Sequence, residues 1–458
     1  MSRRTTVIKQ LKASGAQFLL VDGGNALFGA TPWNPRDPRV GQLMEKAKVI
    51  IASYNRMGYH ALAVGVGEIG MGVEHLKELE KLMEFPLLCA NLVDSASGAP
   101  VFKPSAVVTV GGVKVGLFGV LMSTINATYL ERVAPGAVLE NSVAAAKKAA
   151  AELRPRVDLV VGLCHANDDE NRTLLAECAA IDAVVDPYCF SGASRVWIPD
   201  DGDLEWVNGR ALLRGDGQGA RLGRFDVCLG AGAPFVPWDR YQAAYEKKAQ
   251  GGTLAPDEAA TLADGERRHL GGLTTIPIYP HFAEAPEIKA MVERFRASTR
   301  FVTGDVEKEQ ALARERFLTA EACKPCHQEN YAAWRKTAHG RAYATLQKTG
   351  DEFRYDCLPC HSVGYGEAFL DAHKVGPYKD VQCESCHGTN PEHGREPEKH
   401  RWPAVTEGNC LVCHNPEHLG MPFDFGAKVH EAPCCRVPPG FGKIAPSPEK
   451  GAAPGGRP

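Results

Sequence analysis

The 458-residue chain has no apolar run approaching the roughly 18 residues that a bilayer-spanning helix needs, so no transmembrane segment is expected. It also lacks an excess of either charge: 52 Lys and Arg stand against 55 Asp and Glu, for a net charge of −3. Without a basic surplus there is no electrostatic footprint for nucleic acid or an anionic membrane. The opening MSRRTTVIKQLKASG has no apolar h-region and does not read as a secretory signal. From about residue 318 onward long apolar runs vanish as well, while Cys, His, Pro and Gly rise. Residues 437–458, rich in Pro, Gly and Ala, read as a disordered tail. With 44% apolar and 23% charged residues, the whole chain is nevertheless neither fibrous nor disordered.

What is present is unevenly placed. Ten of the 15 Cys and ten of the 15 His lie beyond residue 322. Eight of those Cys form four C-x-x-C-H units: Cys323 and Cys326 with His327, Cys357 and Cys360 with His361, Cys383 and Cys386 with His387, and Cys410 and Cys413 with His414. At this composition one such unit arises by chance about 0.02 times. Two thiols three positions apart can form thioethers to the two vinyl groups of one haem, and the next His then lies under the ring as an axial iron ligand. Zinc ribbons also use paired C-x-x-C units, and disulfide frameworks use paired Cys, but neither needs a His after each second Cys. Four covalent c-type haems are expected. They would also supply the apolar bulk that this segment's own side chains do not provide.

The units begin 34, 26 and 27 residues apart, links short enough for one compact cluster. Six further His are candidates for the opposite face of an iron: His339, His373, His393, His400, His418 and His430. Residues 327–339 read as one helix, which separates His327 from His339 by about 18 Å and assigns them to different irons.

Residues 1–240 alternate apolar runs with helical patterns, as an α/β sheet with helices on its faces requires. Phe18–Val21, Ala61–Val64, Lys114–Leu121 and Asp158–Leu163 read as buried strands, and Val73–Met83 and Asn141–Leu153 as helices. Residues 245–272 read as a charged surface insertion, and Pro286–Ser298 as an amphipathic helix leading out of the domain. The boundaries expected are 1–300 for the α/β domain and 301–436 for the haem domain.

The string CKPCHQENYAAWRKTAHGRAYATL, with CESCHGTNPEH and CLVCHNPEHLGMPFDFGAKVH, resembles the tetrahaem cytochrome c-554 family and related multihaem cytochromes. The resemblance implies a mainly α, loop-rich haem domain in which His339, His393 and His430 are distal ligands. Many relatives carry a His shortly before the CESCH unit, where this chain has Pro377–Val381; His373 is nearby but out of register. One haem is thereby left open to a small molecule.

VIKQLKASGAQFLLVDGGNALFGATP, ALAVGVGEIGMG, FPLLCANLVD and VVGLCHANDDENRTLLAECAAIDAVV resemble, in order, the periplasmic 5′-nucleotidases of the calcineurin-like metallophosphoesterases. The resemblance implies an α/β sandwich with two metal ions at its strand ends. Here the ligand positions fail in turn. The bridging Asp falls on Asn25, with Asp22 before it; G-N-H-E reads Gly65-Val66-Gly67-Glu68; G-H-x-H reads Pro187-Tyr188-Cys189-Phe190; only His165 is kept. No dinuclear metal site is expected. Cys164 and Cys189 near strand ends, and adjacent Cys434 and Cys435, are possible redox thiols, against the plainer reading of buried Cys as small hydrophobes.

Covalent haem attachment implies the periplasm or cell surface. The absent signal and the absent opening D-x-H strand have one expected cause, a start that falls downstream of both. The function expected is electron transfer with a redox partner protein or quinol-linked donor, the α/β domain serving as scaffold or docking surface. The alternatives are an oxidoreductase acting on a small nitrogen or sulfur compound at an open haem, a 5′-nucleotidase-type hydrolase, and a binding module whose haems report redox state.

Overall fold

The computed structural model describes residues 1–28, 40–187, 203–214, 221–230, 234–299, 312–355, 357–400, 402, 405–414 and 425–426. Cys189, His418, His430, Cys434, Cys435 and the 437–458 segment lie outside the described residues. Contacts divide the chain into two units, Met1–Ala297 and the residues from Ser298 on.

In the first unit β1 (Val21–Asp22), β2 (Ala61–Ala63) and β3 (Leu87–Leu88) form a parallel sheet. They are followed by β4 (Leu92–Asp94), β5 (Ser105–Val110), β6 (Val113–Leu121), β7 (Ala137–Leu139), β8 (Leu159–His165), β9 (Ala183–Asp186), β10 (Asp203–Val207) and β11 (Arg210–Arg214). Six of these make a second sheet in the order β10-β11-β9-β8-β6-β5, and β4 and β7 form a ribbon. β6 and β8 run parallel from Val115↔Leu159 to Leu121↔His165. Both are near-continuous apolar runs, as strands covered on both faces must be. A small sheet of β12 (Arg221–Cys228), β13 (Val236–Pro237) and β14 (Leu270–Pro277) completes the strands.

The helices that cover these sheets are α1 (Ser2–Ala13), α2 (Val40–Met57), α3 (Val66–Gly70), α4 (Val73–Glu80), α5 (Ala127–Val133), α6 (Ser142–Leu153) and α7 (Asp168–Glu177). Ala61, Ala63, Leu88, Leu117, Leu159 and Leu163 pack between the β1-β2-β3 sheet and the six-stranded sheet. Ile8, Leu43, Ile51 and Leu76 pack helices on the outer face of one sheet. Ala146, Ala150, Leu153 and Leu174 do so on the other. The result is a layered α/β sandwich. Gly119 marks how closely the sheets approach, since a Cβ there would lie 2.3 Å from the Leu88 carbonyl oxygen. α6 begins where read, with the Asn141 side chain accepting from Ala144 N–H at 2.9 Å.

Two expectations for this unit differ from what is seen. The Phe18–Val21 run yields strand only at Val21–Asp22, because the Leu20 N–H donates to His60 Nδ1 instead of a backbone carbonyl. The 245–272 insertion resolves into the end of one helix, Trp238–Ala249, the whole of a second, Pro256–Gly265, and the start of β14, which pairs along its length with β12. The helix leading out is present over Pro286–Thr299.

The second unit is mainly short helices: Thr319–Cys323, Gln328–Trp334, Ala342–Thr349, Leu358–His361, Cys383–His387, Pro391–Arg395 and Glu407–Leu411. The single helix expected over 327–339 is not formed. It stops at Trp334, and a separate 3-10 turn carries His339–Arg341. Gly340 permits the break, since a Cβ there would be 2.5 Å from the Trp334 carbonyl oxygen. Nor is the unit without a core of its own. Tyr343, Leu346, Tyr355, Leu358, Phe369 and Tyr378 are buried together around the second motif. A few large aromatic side chains achieve this without any aliphatic run.

Candidate functional site

The four motifs each place their paired Cys on a short helical turn or beside one, and most of their side chains are half-buried. Cys326 and His327 are exposed, and Val412, between Cys410 and Cys413, is 71% exposed. An apolar side chain left bare beside paired thiols is a surface that a porphyrin can cover.

Two pairs of imidazoles face each other from distant parts of the chain. His339 Nε2 lies 3.3 Å from His414 Nε2. Two metal–nitrogen bonds of about 2 Å each need a gap of about 4 Å, so this pair fits one iron after a small outward shift. His327 and His393 have nearly parallel rings, 19° apart, with centres separated by 6.3 Å. That is close to the roughly 6 Å expected when an iron sits between two Nε2 atoms. His339 and His414 are held below the ordinary imidazole range by burial, with the mutual charge of the pair adding to the effect on His339.

Second-sphere contacts fix which nitrogen is available. His361 Nδ1 donates to the Ala342 carbonyl at 2.8 Å, and His393 Nδ1 donates to the His400 carbonyl at 2.7 Å. Each bond leaves Nε2 with its lone pair, as a metal ligand requires. The third motif also meets the first, where the Glu384 carboxylate accepts from the Leu318 and Thr319 N–H groups shortly before Cys323. The residues present therefore fit haem. His387 lies with its ring centre 6.3 Å from that of Trp402, and burial, with the nearby His327 charge, holds it below the ordinary imidazole range. His373 bonds through Nδ1 to the buried Asp371 carboxylate at 2.9 Å, beside the Phe353 ring.

Pro377–Val381, where the resemblance places a His in many relatives, is occupied by structural contacts. Tyr378 stacks on Phe369, Asp380 accepts from the Tyr343 N–H at 2.9 Å, and the Val381 carbonyl accepts from Trp334 Nε1 at 2.8 Å. Sequence reading passed over Trp402, whose ring lies 4.3 Å from that of His393 and whose indole N–H donates to the Gly388 carbonyl. A Trp close to a candidate ligand in a segment poor in apolar residues was the available signal.

In the first unit the loops after β1 and β2 and the end of β9 meet. A Cβ on Gly23 would touch Pro187 at 2.7 Å. Asp22 accepts from Tyr54 O–H at 2.6 Å. Asn25, in the left-handed region at φ +58°, accepts through Oδ1 from the Gly67 N–H at 2.8 Å. Glu68 is fully buried, and its carboxyl accepts from the N–H groups of Asn25, Leu27 and Gly65 at 2.7, 2.9 and 2.9 Å. Burial pushes its pKa up to about 7 despite those bonds. His165, at the end of β8, is pushed down to about 4 by burial. Cys164 is a buried thiol raised by burial and by the nearby Asp186 and Glu170 charges. A thiol in that state is a poor nucleophile.

Sequence reading missed the carboxylate gained at Asp186, which accepts from the Asn171 amide at 3.1 Å. It also missed buried Arg214, which pairs with Asp168 at 3.1 Å and Glu205 at 2.7 Å. These charged groups are each bonded to protein partners. Among the described residues no group of three or more His, Cys, Asp or Glu is arranged to hold a metal ion. The described residues do not fit the dinuclear centre of the phosphoesterases, since Val66 and Gly67 offer no ligand and Glu68 and Asn25 are committed to backbone.

The family model for cytochrome c554 and c-prime matches residues 322–388, which hold the first three motifs. Curated relatives match the other part of the chain's architecture. The probable 5′-nucleotidase of Treponema pallidum is 26% identical over 183 residues, covering 39% of this chain and 29% of that protein. The 5′-nucleotidase of Vibrio cholerae is 27% identical over 177 residues, covering 37% and 30%. Protein UshA of Yersinia enterocolitica is 32% identical over 111 residues, covering 24% and 18%. The matched part thus spans under a third of the length of these relatives. Among solved structures, the sulfate thiohydrolase SoxB of Thermus thermophilus aligns with a TM-score of 0.48 and 16% identity, over 72% of this chain and 54% of that one. A 5′-nucleotidase precursor, also of Thermus thermophilus, aligns at 0.47 and 20%, over 65% and 53%. The chain therefore joins a 5′-nucleotidase-like phosphoesterase sandwich to a small, mainly helical cytochrome c554-like region.

Proposed function

We propose that this chain is an extracytoplasmic tetrahaem c-type cytochrome that carries electrons, with the α/β unit acting as a non-hydrolytic scaffold or docking surface. The observation that carries the reading is the facing of His339 and His414 at 3.3 Å, two imidazoles 75 residues apart that share the geometry of one iron. Each bound haem iron supplies a site that takes up and releases a single electron. The eight motif Cys anchor the four groups, and His327, His361, His387 and His414 bind the irons from one side. His339 and His393 would hold two of the haems opposite these ligands and keep water and small ligands away from them. His361 and His393 are oriented by their Nδ1 bonds to backbone carbonyls. The Glu384 and Gln382 bonds to residues 318–320 support an arrangement in which the first group lies against the third. Electrons would enter from a redox partner protein or a quinol-linked donor.

A second reading, an oxidoreductase acting on a small nitrogen or sulfur compound at an open haem, is favoured by the structural use of Pro377–Val381. The test of the main reading is haem content and hydrolysis on the full chain matured with covalent haem attachment. Four haems per chain and no phosphate release from nucleotides are expected. Fewer haems, or metal-dependent phosphate release, would overturn it.

A further inference from the structure

The third motif holds the first in place. Thr319, four residues before Cys323, has φ +62°, a conformation that a β-branched residue adopts only when its surroundings impose it. The surroundings that impose it come from the other motif. Glu384, the residue after Cys383, is buried, and its two carboxylate oxygens accept from Leu318 N–H at 3.1 Å and Thr319 N–H at 2.9 Å. Gln382, the residue before Cys383, is also buried and accepts from Ala320 N–H at 2.6 Å. Its amide nitrogen is spent on the Pro377 and Lys379 carbonyls at 2.7 and 2.8 Å. Three successive amides that enter the first motif are thus bonded by two side chains that flank the first Cys of the third. The same stretch reaches the far side of the first motif, where the Val381 N–H donates to the His339 carbonyl at 3.1 Å.

We infer that Glu384 and Gln382 are positioning residues that fix the first haem site against the third. The inference rests on the tetrahaem reading for its consequence and on the hydrogen bonds alone for the clamp. Glu384 acts through Thr319 on the helical turn that carries Cys323, and so sets where the His327 imidazole stands. A substitution within the third motif should then disturb the iron of the first.

The experiment uses the haem-loaded full chain and two variants, Glu384→Ala and Glu384→Gln. The ferric low-spin EPR signal that His393→Met displaces identifies the iron bound by His327. Glu384→Ala should shift that signal and leave the others in place. Amide exchange at Leu318 and Thr319 should accelerate about tenfold, while Ala320, held by Gln382, stays protected. Glu384→Gln keeps one acceptor oxygen and should restore part of both effects. If Glu384→Ala does not load haem, Glu384→Gln decides: a shift confined to the same signal supports the clamp. An unchanged spectrum with unchanged exchange overturns it, as does an equal shift of every signal. Fewer than four haems in the parent chain would sink the tetrahaem reading by itself, with the exchange at Leu318 and Thr319 still reporting on the clamp.

Discussion

The two units of this chain reach order by different means. Residues 1–297 bury aliphatic side chains between sheets and under helices, so that Leu62, Leu87, Leu117, Val160 and Leu163 are all inaccessible. The residues from Ser298 on bury one small aromatic group around the second motif and leave Cys326, His327 and Val412 open. The described part of the first unit is packed by its own side chains. The second leaves paired thiols, an imidazole and an apolar side chain accessible. The same contrast holds at the sites. In the strand-end cleft Glu68, Asn25, Asp186 and Arg214 are bonded to protein groups, whereas in the second unit His361 and His393 keep a nitrogen in reserve.

The strongest way to break this comparison is to withhold haem. Calorimetry on the full chain made without haem attachment should show the unfolding transition of the first unit and no cooperative transition from the second. A second transition in the haem-free chain would show that its own side chains suffice. A smaller effect is expected from Leu163→Ala in β8, which removes a fully buried side chain between the sheets. It should cost the first unit about 3 kcal/mol in denaturant unfolding and leave the haem spectrum unchanged.

The comparison sharpens further with pH. Burial lifts the Glu68 carboxyl from 4.5 to about 7, so between those values the folded state holds a proton that the unfolded chain releases. That contribution is complete below pH 4.5 and is lost as pH rises through 7. Buried His165, lowered from 6.5 to about 4, contributes the opposite slope over much of the same window, so Glu68→Gln should make first-unit stability rise more steeply with pH there. The smallest effect belongs to Thr319→Gly, which relieves the positive φ while adding freedom to the unfolded chain. It should raise the second unit's denaturant midpoint by an amount worth about 1 kcal/mol or less.

Much of the sandwich was legible because its strands announce themselves. Lys114–Leu121 and Asp158–Leu163 are apolar on both faces, and they appear as Val113–Leu121 and Leu159–His165. Asn141 marked the start of α6 through its capping side chain. The segment around Leu270 was hidden because LGGLTTIP carries two Gly and little alternation, and its strand identity comes from pairing with β12. The motif Cys and His were named from spacing alone. Which imidazole faces which was not, because His339 and His414, or His327 and His393, are joined only by the folded chain. The break after Trp334 was illegible for a related reason: it depends on Gly340 packing against a backbone one turn away. Glu384 looked like filler within its motif because its partners, Leu318 and Thr319, lie more than sixty residues earlier.

The most direct test of the central claim is the absorption spectrum of the reduced, haem-loaded full chain before and after carbon monoxide. On the proposed reading His339 with His414 and His327 with His393 each close an iron, so at least two haems should keep low-spin spectra that carbon monoxide does not move. A shift of all four would contradict the account, because it would mean that these imidazole pairs do not close an iron.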